Sequence, residues 1–481
     1  MKVLLAGLNI DYDHIRKIKK LEKGEIEVKE IPDTKVFTPE TLSAAYARIS
    51  RSPLSIEKLR ENSINKIDKA RKSNKKIVYG MGHGSIAEHA VFNIDIINIS
   101  RLASEFIQKH RLVSYTEKSQ RYIKLEKDFI IPEEIKDNND LVDEFTSLIQ
   151  RENKLYNYFY DQLKIYFKNK YSELSKREVE GKAKEDSRYI LSLATTSQMG
   201  MTINARNLEY MLKLFQANPL FEIQELGEKI NGIVKDKVPS LIVFDEPKDY
   251  DYKNWRGRFE YDFNKSLEDN DYEHVKLIDY TENGEDQIVA GLVYQNSDYS
   301  FDNILKNINK IDKKEVLNKV FKGIDFYHSV DRAFELASAQ FEFLLSSSAF
   351  AQLKRHRLST ILKGAYNINW SVTVPSSIEA IGEEEKFIDM IKKIEQFYRK
   401  VKTYDENAAD YILTNSHRRK VIMKANMREW YHFIRLRADE HAQWEIRALA
   451  KRVEEKLKEI FPNVSEYLMG KDDFTEKFNK M

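Results

Sequence analysis

Residues 109–122 read KHRLVSYTEKSQRY, a segment in which side chains able to bind an anion lie close together. Glu117, Ser119 and Arg121 stand at alternate positions, and the alternation of apolar and polar residues around them predicts an extended backbone. A serine hydroxyl, backbone N–H groups and a guanidinium are the donors that a phosphate monoester needs. The segment is therefore a candidate phosphate site, although a basic cluster is also common on a solvated surface.

A related block, RHRLSTILKGAY, follows 246 residues later at positions 355–366. It repeats the basic-His-Arg-Leu sequence but has neither the serine nor the second arginine in the matching places. Residues 202–224 and 424–447 form another pair, each with Asn-x-Arg opening a helical pattern and Glu-Ile near its end. Two pairs in the same order indicate an internal duplication.

The helical pattern of the second copy places a cation among aromatic residues. Arg437 and His441 share the spacing of Trp430 and Phe433, which predicts that both lie on a core-facing stripe. A guanidinium is costly to bury unpaired, so Arg437 forms either an internal salt bridge or a site for a planar, anionic or carbonyl-bearing ligand. The corresponding residue of the first copy is Phe215, on an ordinary hydrophobic face.

A metal site is not expected. His441 and Glu445 are four residues apart, but a third ligand and a general base at metalloprotease spacing are missing. Gly80, Gly82 and Gly84 predict instead a loop able to approach a ligand with its backbone.

Composition narrows the class of protein. A chain of 481 residues predicts two or more domains, and its 79 basic and 77 acidic residues provide no overall field for nucleic acid or an anionic membrane. No uninterrupted apolar stretch is long enough for a membrane span and no signal peptide is recognised, so we expect a cytoplasmic protein. The absence of cysteine excludes disulfides and a cysteine nucleophile.

The pattern of elements predicts two α+β domains, residues 1–260 and 261–481, on either side of a polar segment at 245–273. A weaker echo of residues 41–55 at 286–300 marks the domain starts. Residues 137–167 and 387–413 have helical spacing, whereas KVLLAGL, IEVKEI, VKLIDY and QIVAGLVY resemble strands.

Together these motifs resemble those of the flavin-dependent thymidylate synthases. KHRLVSYTEKSQRY follows the family pattern RHRxxSxNExSxRY, with Lys109 for the first Arg and Thr116 for the Asn. HGSIAEH (83–89) resembles the family's His-x4-Glu-His loop, and RADEHAQWEIR (437–447) is close to its C-terminal helix. The resemblance covers most of both halves.

The resemblance implies two tandem copies of that fold, with a mixed sheet and long helices in each. It also implies conversion of dUMP to dTMP, with methylenetetrahydrofolate as carbon source, FAD as cofactor and NADPH as reductant. Family members are homotetramers with pockets shared between subunits, so a duplicated chain is expected to form a homodimer. Such chemistry must stabilise charge on the uracil without a thiolate, a role suited to Arg437.

Carried over residue by residue, the family pattern is divided between the two halves. The first half keeps the dUMP residues Glu117, Ser119, Arg121 and Arg188, but has Phe106 where Gln is expected and Phe215 where the uracil-facing Arg belongs. The second half keeps Gln352, Arg355, His356, Arg357, Arg437 and His441, but has Lys363, Ala365, Asn367 and Asp410 where Glu, Ser, Arg and Arg are expected. Ser119 and Arg437 are the implied catalytic residues, and the implied flavin contacts are His83, Glu88, Arg355, His356, Arg357, Asn426, Arg428 and His441, while Asn204 and Arg206 persist in the first half.

Two other functions remain open from the sequence. One is flavin-dependent C5 alkylation of another pyrimidine nucleotide, which would keep both half-sites and change only the folate side. The other is a nucleotide-binding pseudoenzyme. Complementary loss argues against the latter, because unselected decay would erase residues in both halves at random.

Overall fold

The computed structural model describes residues 1–27, 37–121, 123, 128–243, 246–252 and 273–474. The domain boundary predicted between residues 260 and 261 lies outside the described residues, as do Tyr122 and residues 28–31 of the predicted strand IEVKEI.

In the first half the strands are β1 (Lys2–Leu8), β2 (Val91–Ser100), β3 (Ser114–Glu117) and β4 (Thr196–Asn204). Its helices are α1 (Tyr12–Glu22), α2 (Glu40–Tyr46), α3 (Ile56–Asn65), α4 (Ile67–Lys75), α5 (Arg101–Ile107), α6 (Asn139–Lys170), α7 (Lys176–Ser187), α8 (Ala205–Gln216), α9 (Phe221–Val234) and α10 (Asp249–Tyr252).

In the second half the strands are β5 (Val275–Tyr280), β6 (Ser338–Ser346), β7 (Thr360–Lys363) and β8 (Arg418–Asn426). Its helices are α11 (Gly284–Tyr294), α12 (Phe301–Lys306), α13 (Lys313–Phe321), α14 (Ser347–Leu353), α15 (Ser376–Ala380), α16 (Glu384–Tyr404), α17 (Met427–Arg437) and α18 (Trp444–Ile460).

Each half contains one four-stranded sheet, and the strand orders β1-β2-β4-β3 and β5-β6-β8-β7 are equivalent. The predicted α+β class is confirmed, but every pairing among the described strands is antiparallel where a mixed sheet was expected. Strand direction could not be read from the sequence, because a connection that contains helices can return the chain in either sense.

The sheet registers define which positions of the two halves correspond. Glu117 pairs with Met199, five residues before Asn204, and Lys363 pairs with Val421, five residues before Asn426. The helices that follow β2 and β6 are both capped by serine, since Ser100 Oγ and Ser346 Oγ each accept the N–H of the third residue beyond. Arg101 therefore corresponds to Ser347, and Phe106 to Gln352.

The chain forms two compact units that do not coincide with its two halves. Unit 1 comprises residues Met1–Asn153, Ser192–Asn264 and Gln396–Ile412, and unit 2 comprises Lys154–Leu191, Lys265–Glu395 and Leu413–Met481. Each half thus contributes one segment to the unit that is built mainly from the other half. Residues Lys154–Leu191 of the first half belong to unit 2, and residues Gln396–Ile412 of the second half belong to unit 1. We call these two stretches the lent segments. The two long helices α6 and α16 contribute to both units.

Aromatic contacts hold each lent segment in its unit. In unit 1 the ring centroids of Phe145 (α6) and Phe397 (α16) are 6.1 Å apart, and Lys400 donates to Glu144 at 2.6 Å. In unit 2 the rings of Phe159 and Phe387 stack at 6.0 Å. Because Phe145, Phe159, Phe387 and Phe397 are all buried, these contacts belong to the cores of the units.

The prediction of a long helix at 137–167 is confirmed by α6, that at 387–413 is confirmed by α16 as far as Tyr404, and those of strands at KVLLAGL and VKLIDY are confirmed by β1 and β5. The strand predicted for QIVAGLVY is wrong, because these residues form most of α11. A short apolar run does not distinguish a buried strand from a buried helix. Within α11, a Cβ on Gly291 would lie 2.7 Å from Leu336 Cδ1, so glycine here permits close helix packing.

Candidate functional site

Glu117, at the end of β3, is held by side chains of unit 1. Its carboxylate accepts from Gln108 Nε2 at 2.8 Å and Ser197 Oγ at 3.3 Å, and Arg101 Nη1 lies 3.5 Å away. Arg101 is 2% exposed and also donates to Ser104 Oγ at 2.8 Å. Its second terminal nitrogen, Nη2, is buried without a hydrogen-bond partner among the described residues. Glu117 is therefore fixed in orientation beside a buried cation.

Ser119 and Arg121 follow Glu117 in a partly exposed turn. The backbone N–H of Arg121 donates to Ser119 Oγ at 3.2 Å, and the N–H of Lys118 donates to Gln198 O at 2.9 Å. The second bond continues the pairing of β3 with β4, so the sheet determines where the turn begins. The structure thus places the predicted serine and arginine in one turn.

His83 and Glu88 lie in the glycine-containing loop ahead of β2. His83 is exposed, and Glu88 Oε1 pairs with Arg206 Nη1 at 2.5 Å. A Cβ on Gly84 would lie 3.2 Å from Arg206 Nε, and Gly82 has a positive φ of 74°. Glycine therefore permits the positive φ of the turn at Gly82 and the close approach of Gly84 to Arg206.

Unit 2 contains a chain of three hydrogen-bonded side chains that ends at Arg437. Arg437 Nε donates to His356 Nε2 at 3.0 Å, and His356 Nδ1 lies 3.1 Å from Glu429 Oε1. His356 and Glu429 are 3% and 4% exposed. Burial, reinforced by the positive charge of Arg437, holds the pKa of His356 well below its usual value. The imidazole is therefore neutral, and both of its nitrogens are engaged.

The other predicted residues of this block alternate between buried and exposed. Gln352 is 6% exposed in α14, whereas Arg355 and Arg357 are exposed on either side of the buried His356. The structure therefore separates His356 from the two guanidiniums with which the sequence grouped it.

Arg188, which the sequence places in the first half, belongs to unit 2 together with Arg437. It is 4% exposed, and its Nε donates to Glu185 O at 3.3 Å. Its own carbonyl accepts from Asn415 Nδ2 at 3.0 Å. The lent segment Lys154–Leu191 thus carries a first-half arginine into the unit of the second-half residues.

The residue after Arg188 fastens this segment to a buried carboxylate. Tyr189 OH donates to Glu445 Oε2 at 2.7 Å and accepts from Gln443 Nε2 at 2.7 Å. In unit 1 the equivalent Tyr411 OH donates to Glu222 Oε2 at 2.7 Å. Asp410 precedes Tyr411 where Arg188 precedes Tyr189, so the tyrosine is common to both units and the arginine is not.

The Asn-x-Arg motifs have local structural roles in both halves. Asn204 Oδ1 and Asn426 Oδ1 cap α8 and α17, each accepting a backbone N–H at 2.9 Å. Arg428 Nη1 lies 2.9 Å from Glu335 Oε1, as Arg206 lies beside Glu88. Retention of these residues in both halves therefore has a structural explanation besides flavin binding.

The position of His441 differs from the helical stripe predicted for it. Helix α17 ends at Arg437, α18 begins at Trp444, and His441 is exposed between them. The backbone N–H of His441 donates to Asp439 Oδ1 at 2.8 Å, which closes a turn. The spacing of apolar residues continues across this break, so periodicity alone did not reveal it. Among the described residues, Asp439, His441 and Asp472 could together offer a metal ion three ligands, a grouping that the sequence did not indicate.

In unit 1 the counterpart of the chain that ends at Arg437 is an aromatic cluster. The His110 ring lies 5.8 Å from that of Phe215 and 5.9 Å from that of Tyr210. Burial lowers the pKa of His110 to about 4. Phe215 is 1% exposed, and Phe106 replaces Gln352 at the matching position of α5. The histidine is common to both halves, but only the second half joins it to an arginine.

In unit 2 the counterpart of the serine-containing turn carries Lys363, Ala365 and Asn367. The position of Ser197, which donates to Glu117, is taken by Arg419. The Arg419 guanidinium lies 3.4 Å from the centre of the Tyr366 ring, and both residues are buried. The second copy thus has a stacked cation where the first copy has the serine that donates to Glu117.

Arg101, Gln108 and Glu429 belong to these arrangements but were not singled out in the sequence. Gln108 directly precedes the basic block, and Glu429 lies within the second Asn-x-Arg helix. The signal available for Arg101 in the sequence is its charge inside the largely apolar segment 91–107.

Comparison with known proteins identifies the family. The model of the thymidylate synthase complementing proteins, Thy1, matches residues 34–240 and again residues 276–463. The chain belongs to this family. Two matches in succession also support the tandem duplication inferred from the repeated blocks.

Relatives of this Thy1 chain include one that it resembles over most of its length. A UPF0159 protein of Thermoplasma acidophilum is 23% identical over 440 residues, which cover 81% of this chain and 87% of the relative. The flavin-dependent thymidylate synthase of Clostridium tetani is 30% identical over 214 residues, covering 44% of this chain and 83% of the relative.

Two solved structures are also similar. A flavin-dependent thymidylate synthase from Helicobacter pylori, complexed with FAD and dUMP, has 17% identity and a TM-score of 0.34, covering 51% of this chain and 100% of its own. The UMP/dUMP methylase PolB from Streptomyces cacaoi, bound with 5-Br dUMP, has 17% identity and a TM-score of 0.36, covering 50% and 92%.

In the part of the chain that the structure describes, no helix has both the length and the apolar composition to cross a membrane.

Proposed function

We propose that this Thy1 protein is a flavin-dependent thymidylate synthase that methylates dUMP to dTMP, with methylenetetrahydrofolate as carbon donor and NADPH as reductant. Each pocket takes Glu117, Ser119 and Arg121 from the first half and Gln352, Arg355 and Arg437 from the second. The observation that carries this proposal is the complementary retention of residues: each half keeps the side of the site that the other has replaced.

The replaced residues of each half remove the chemical groups that one side of the proposed site needs. Phe215 is buried against His110, and its phenyl ring has no donor for a uracil carbonyl. In the second half Ala365 leaves no hydroxyl at the position equivalent to Ser119, and Arg419, stacked on Tyr366, replaces Ser197. In a homodimer of two-domain chains, which would correspond to the family homotetramer, two pockets are therefore expected to be intact and two to be inactive.

The roles of the retained residues follow from their chemistry. Ser119, Arg121 and Arg188 donate hydrogen bonds to the dUMP phosphate, and Arg188 does so from the unit that holds Arg437. Arg437 faces the uracil carbonyls and stabilises the negative charge that develops when C5 attacks the carbon donor. Ser119 is the second catalytic candidate. Because no cysteine is present, charge stabilisation has to replace covalent activation at C6.

The residues assigned to FAD fit its anionic diphosphate in part. Arg355 and Arg357 are exposed guanidiniums, and the loop around His83 carries glycines that let a ligand approach its backbone. Glu88, Asn426, Arg428 and His441 complete the assigned set. His356, by contrast, has both ring nitrogens engaged by Arg437 and Glu429 and would have to contact a flavin through its ring edge. Bound FAD would supply the redox chemistry of the reaction.

The direct test is spectroscopic. The purified chain is expected to show flavin absorbance that bleaches under anaerobic NADPH and returns when dUMP and methylenetetrahydrofolate are added, with dTMP detected by chromatography. If the protein binds flavin and turns over UMP or another pyrimidine nucleotide but not dUMP, that nucleotide would replace dUMP as the proposed substrate. Absence of both flavin and dUMP binding would leave a pseudoenzyme.

A further inference from the structure

The hydrogen-bonded chain from Glu429 to Arg437 has only one consistent arrangement of protons. A guanidinium is always protonated and can only donate, so His356 Nε2 must accept from Arg437 Nε. The single proton of the neutral imidazole then lies on Nδ1, where it donates to Glu429 Oε1. The carboxylate thereby selects the tautomer that leaves a lone pair for Arg437.

Glu429 is itself held in place by the start of its helix. Its backbone N–H donates to the capping Asn426 Oδ1 at 2.9 Å, so its Cα is fixed in the first turn of α17. Arg437 is the last residue of the same helix, and His356 lies on the block between α14 and β7. The three side chains therefore connect both ends of one helix through a residue of another segment.

The first half retains the histidine without this arrangement. The residue equivalent to Glu429 is Asn207, whose amide Nδ2 donates to Asn204 Oδ1 at 2.9 Å within its own helix cap. His110 contacts Phe215 and Tyr210 instead of a guanidinium. Carboxylate and arginine are thus present together in one half and absent together in the other.

We propose that Glu429 is a positioning residue for the uracil-facing arginine, acting through His356. It keeps the imidazole in the Nδ1–H tautomer, and the imidazole in turn fixes the orientation of the Arg437 guanidinium. With the carboxylate removed, His356 can take the other tautomer, which presents an N–H to the Arg437 N–H and displaces the guanidinium. This role rests on the proposed function, since it assumes that Arg437 contacts a pyrimidine.

Binding of dUMP and of deoxyribose 5-phosphate to the full-length protein, measured by calorimetry, tests the proposal. Glu429→Ala is expected to weaken dUMP binding about tenfold to a hundredfold, the effect of one misaligned hydrogen bond to a charged group. Binding of deoxyribose 5-phosphate should not change, because the phosphate is held by Ser119 and Arg121. Glu429→Gln keeps an acceptor oxygen and should restore dUMP binding to within a few-fold of wild type.

Asn207→Ala, at the same position of the other half, is the matched control and should leave both affinities unchanged. Equal losses for dUMP and deoxyribose 5-phosphate in Glu429→Ala, or wild-type dUMP affinity, would overturn the positioning role. If wild-type protein binds deoxyribose 5-phosphate but not dUMP, the proposed function fails first, together with the role that depends on it.

The tautomer supplies a measurement that needs neither a ligand nor a folded alanine variant. Nitrogen NMR of 15N-histidine protein, with the His356 signals assigned through His356→Gln, should show Nδ1 protonated and Nε2 bare. A His356 ring protonated on Nε2 would contradict the proton arrangement directly.

Discussion

Arg437 and Phe215 occupy the same helical position in the two halves, and their neighbours differ accordingly. Arg437 donates to a neutral, buried histidine, whereas Phe215 packs against its counterpart. A guanidinium placed at position 215 would face His110, but without a carboxylate to orient that histidine, because Asn207 stands where the second half has Glu429. We therefore expect that a single replacement would not convert one half into the other, in keeping with the proposed complementary halves.

Asp186, two residues before Arg188, is a buried carboxyl with an unusual pKa. It accepts from Ser377 Oγ at 2.5 Å and Trp444 Nε1 at 2.9 Å. Burial nevertheless raises its pKa from 3.8 to about 7. Between these two values the folded protein binds more protons than the unfolded chain, so this group makes stability fall as pH rises from about 4 to about 7.

We therefore expect Asp186→Asn to stabilise the protein increasingly as pH rises from about 4 to about 7, with no further gain above that pH. The shift sets an upper limit of about 4 kcal/mol on the effect above about pH 7, and the difference should be small near pH 4, where the unfolded chain also keeps much of this proton. Thermal unfolding measured at several pH values checks this. Asp389→Asn, at an exposed position of α16, should give a curve parallel to wild type, and a parallel curve for Asp186→Asn would contradict the assigned pKa.

The sequence indicated candidate site residues when they lie close together along the chain. Ser119 and Arg121 were predicted as site residues because they lie in one short segment, and the structure places them in one turn. Glu429 was missed because its partner His356 is 73 residues away, and no local pattern reports such a contact. The same limit applies to Arg101, whose partner Glu117 is reached only when α5 and β3 fold together.

At the scale of elements, the lent segments explain how the chain brings distant residues into one unit. Tyr189 and Tyr411 each place a hydroxyl on a buried carboxylate in the unit that receives the segment. The duplicated sequence predicted equivalent elements in both halves, including the echo that aligns α2 with α11. It could not show the exchange, because a repeat packed on itself and a repeat packed on its neighbour have the same pattern of apolar residues.

Tyr189→Phe and Tyr411→Phe form a matched pair at this scale. Each removes one donor from a buried carboxylate and should destabilise its own unit by about 1–3 kcal/mol. Hydrogen exchange should then increase at the start of α18 for Tyr189→Phe and at the start of α9 for Tyr411→Phe. Only Tyr189→Phe should also weaken dUMP binding, because it loosens Arg188. Equal effects of both variants on dUMP would contradict the asymmetry.

At the scale of the molecule, the two halves that match the Thy1 model depend on each other, because each contributes a segment to the unit of the other. A cut near residue 260 would separate the segments Lys154–Leu191 and Gln396–Ile412 from the units that they complete. The proposed pockets need both halves for a second reason, because neither half keeps all the residues that we assign to dUMP binding. Measurements on the intact chain are therefore the appropriate test of how many sites it carries.

The number of dUMP molecules bound per chain tests the central claim most directly. Equilibrium dialysis of the FAD-loaded protein should give one dUMP per chain, because each chain carries one complete set of the proposed dUMP residues. A duplicated enzyme with two intact copies would bind two. Arg121→Ala and Arg437→Ala, on opposite sides of the proposed pocket, should each abolish that binding. Two molecules of dUMP per chain, or one that survives either variant, would contradict a single pocket built from complementary halves.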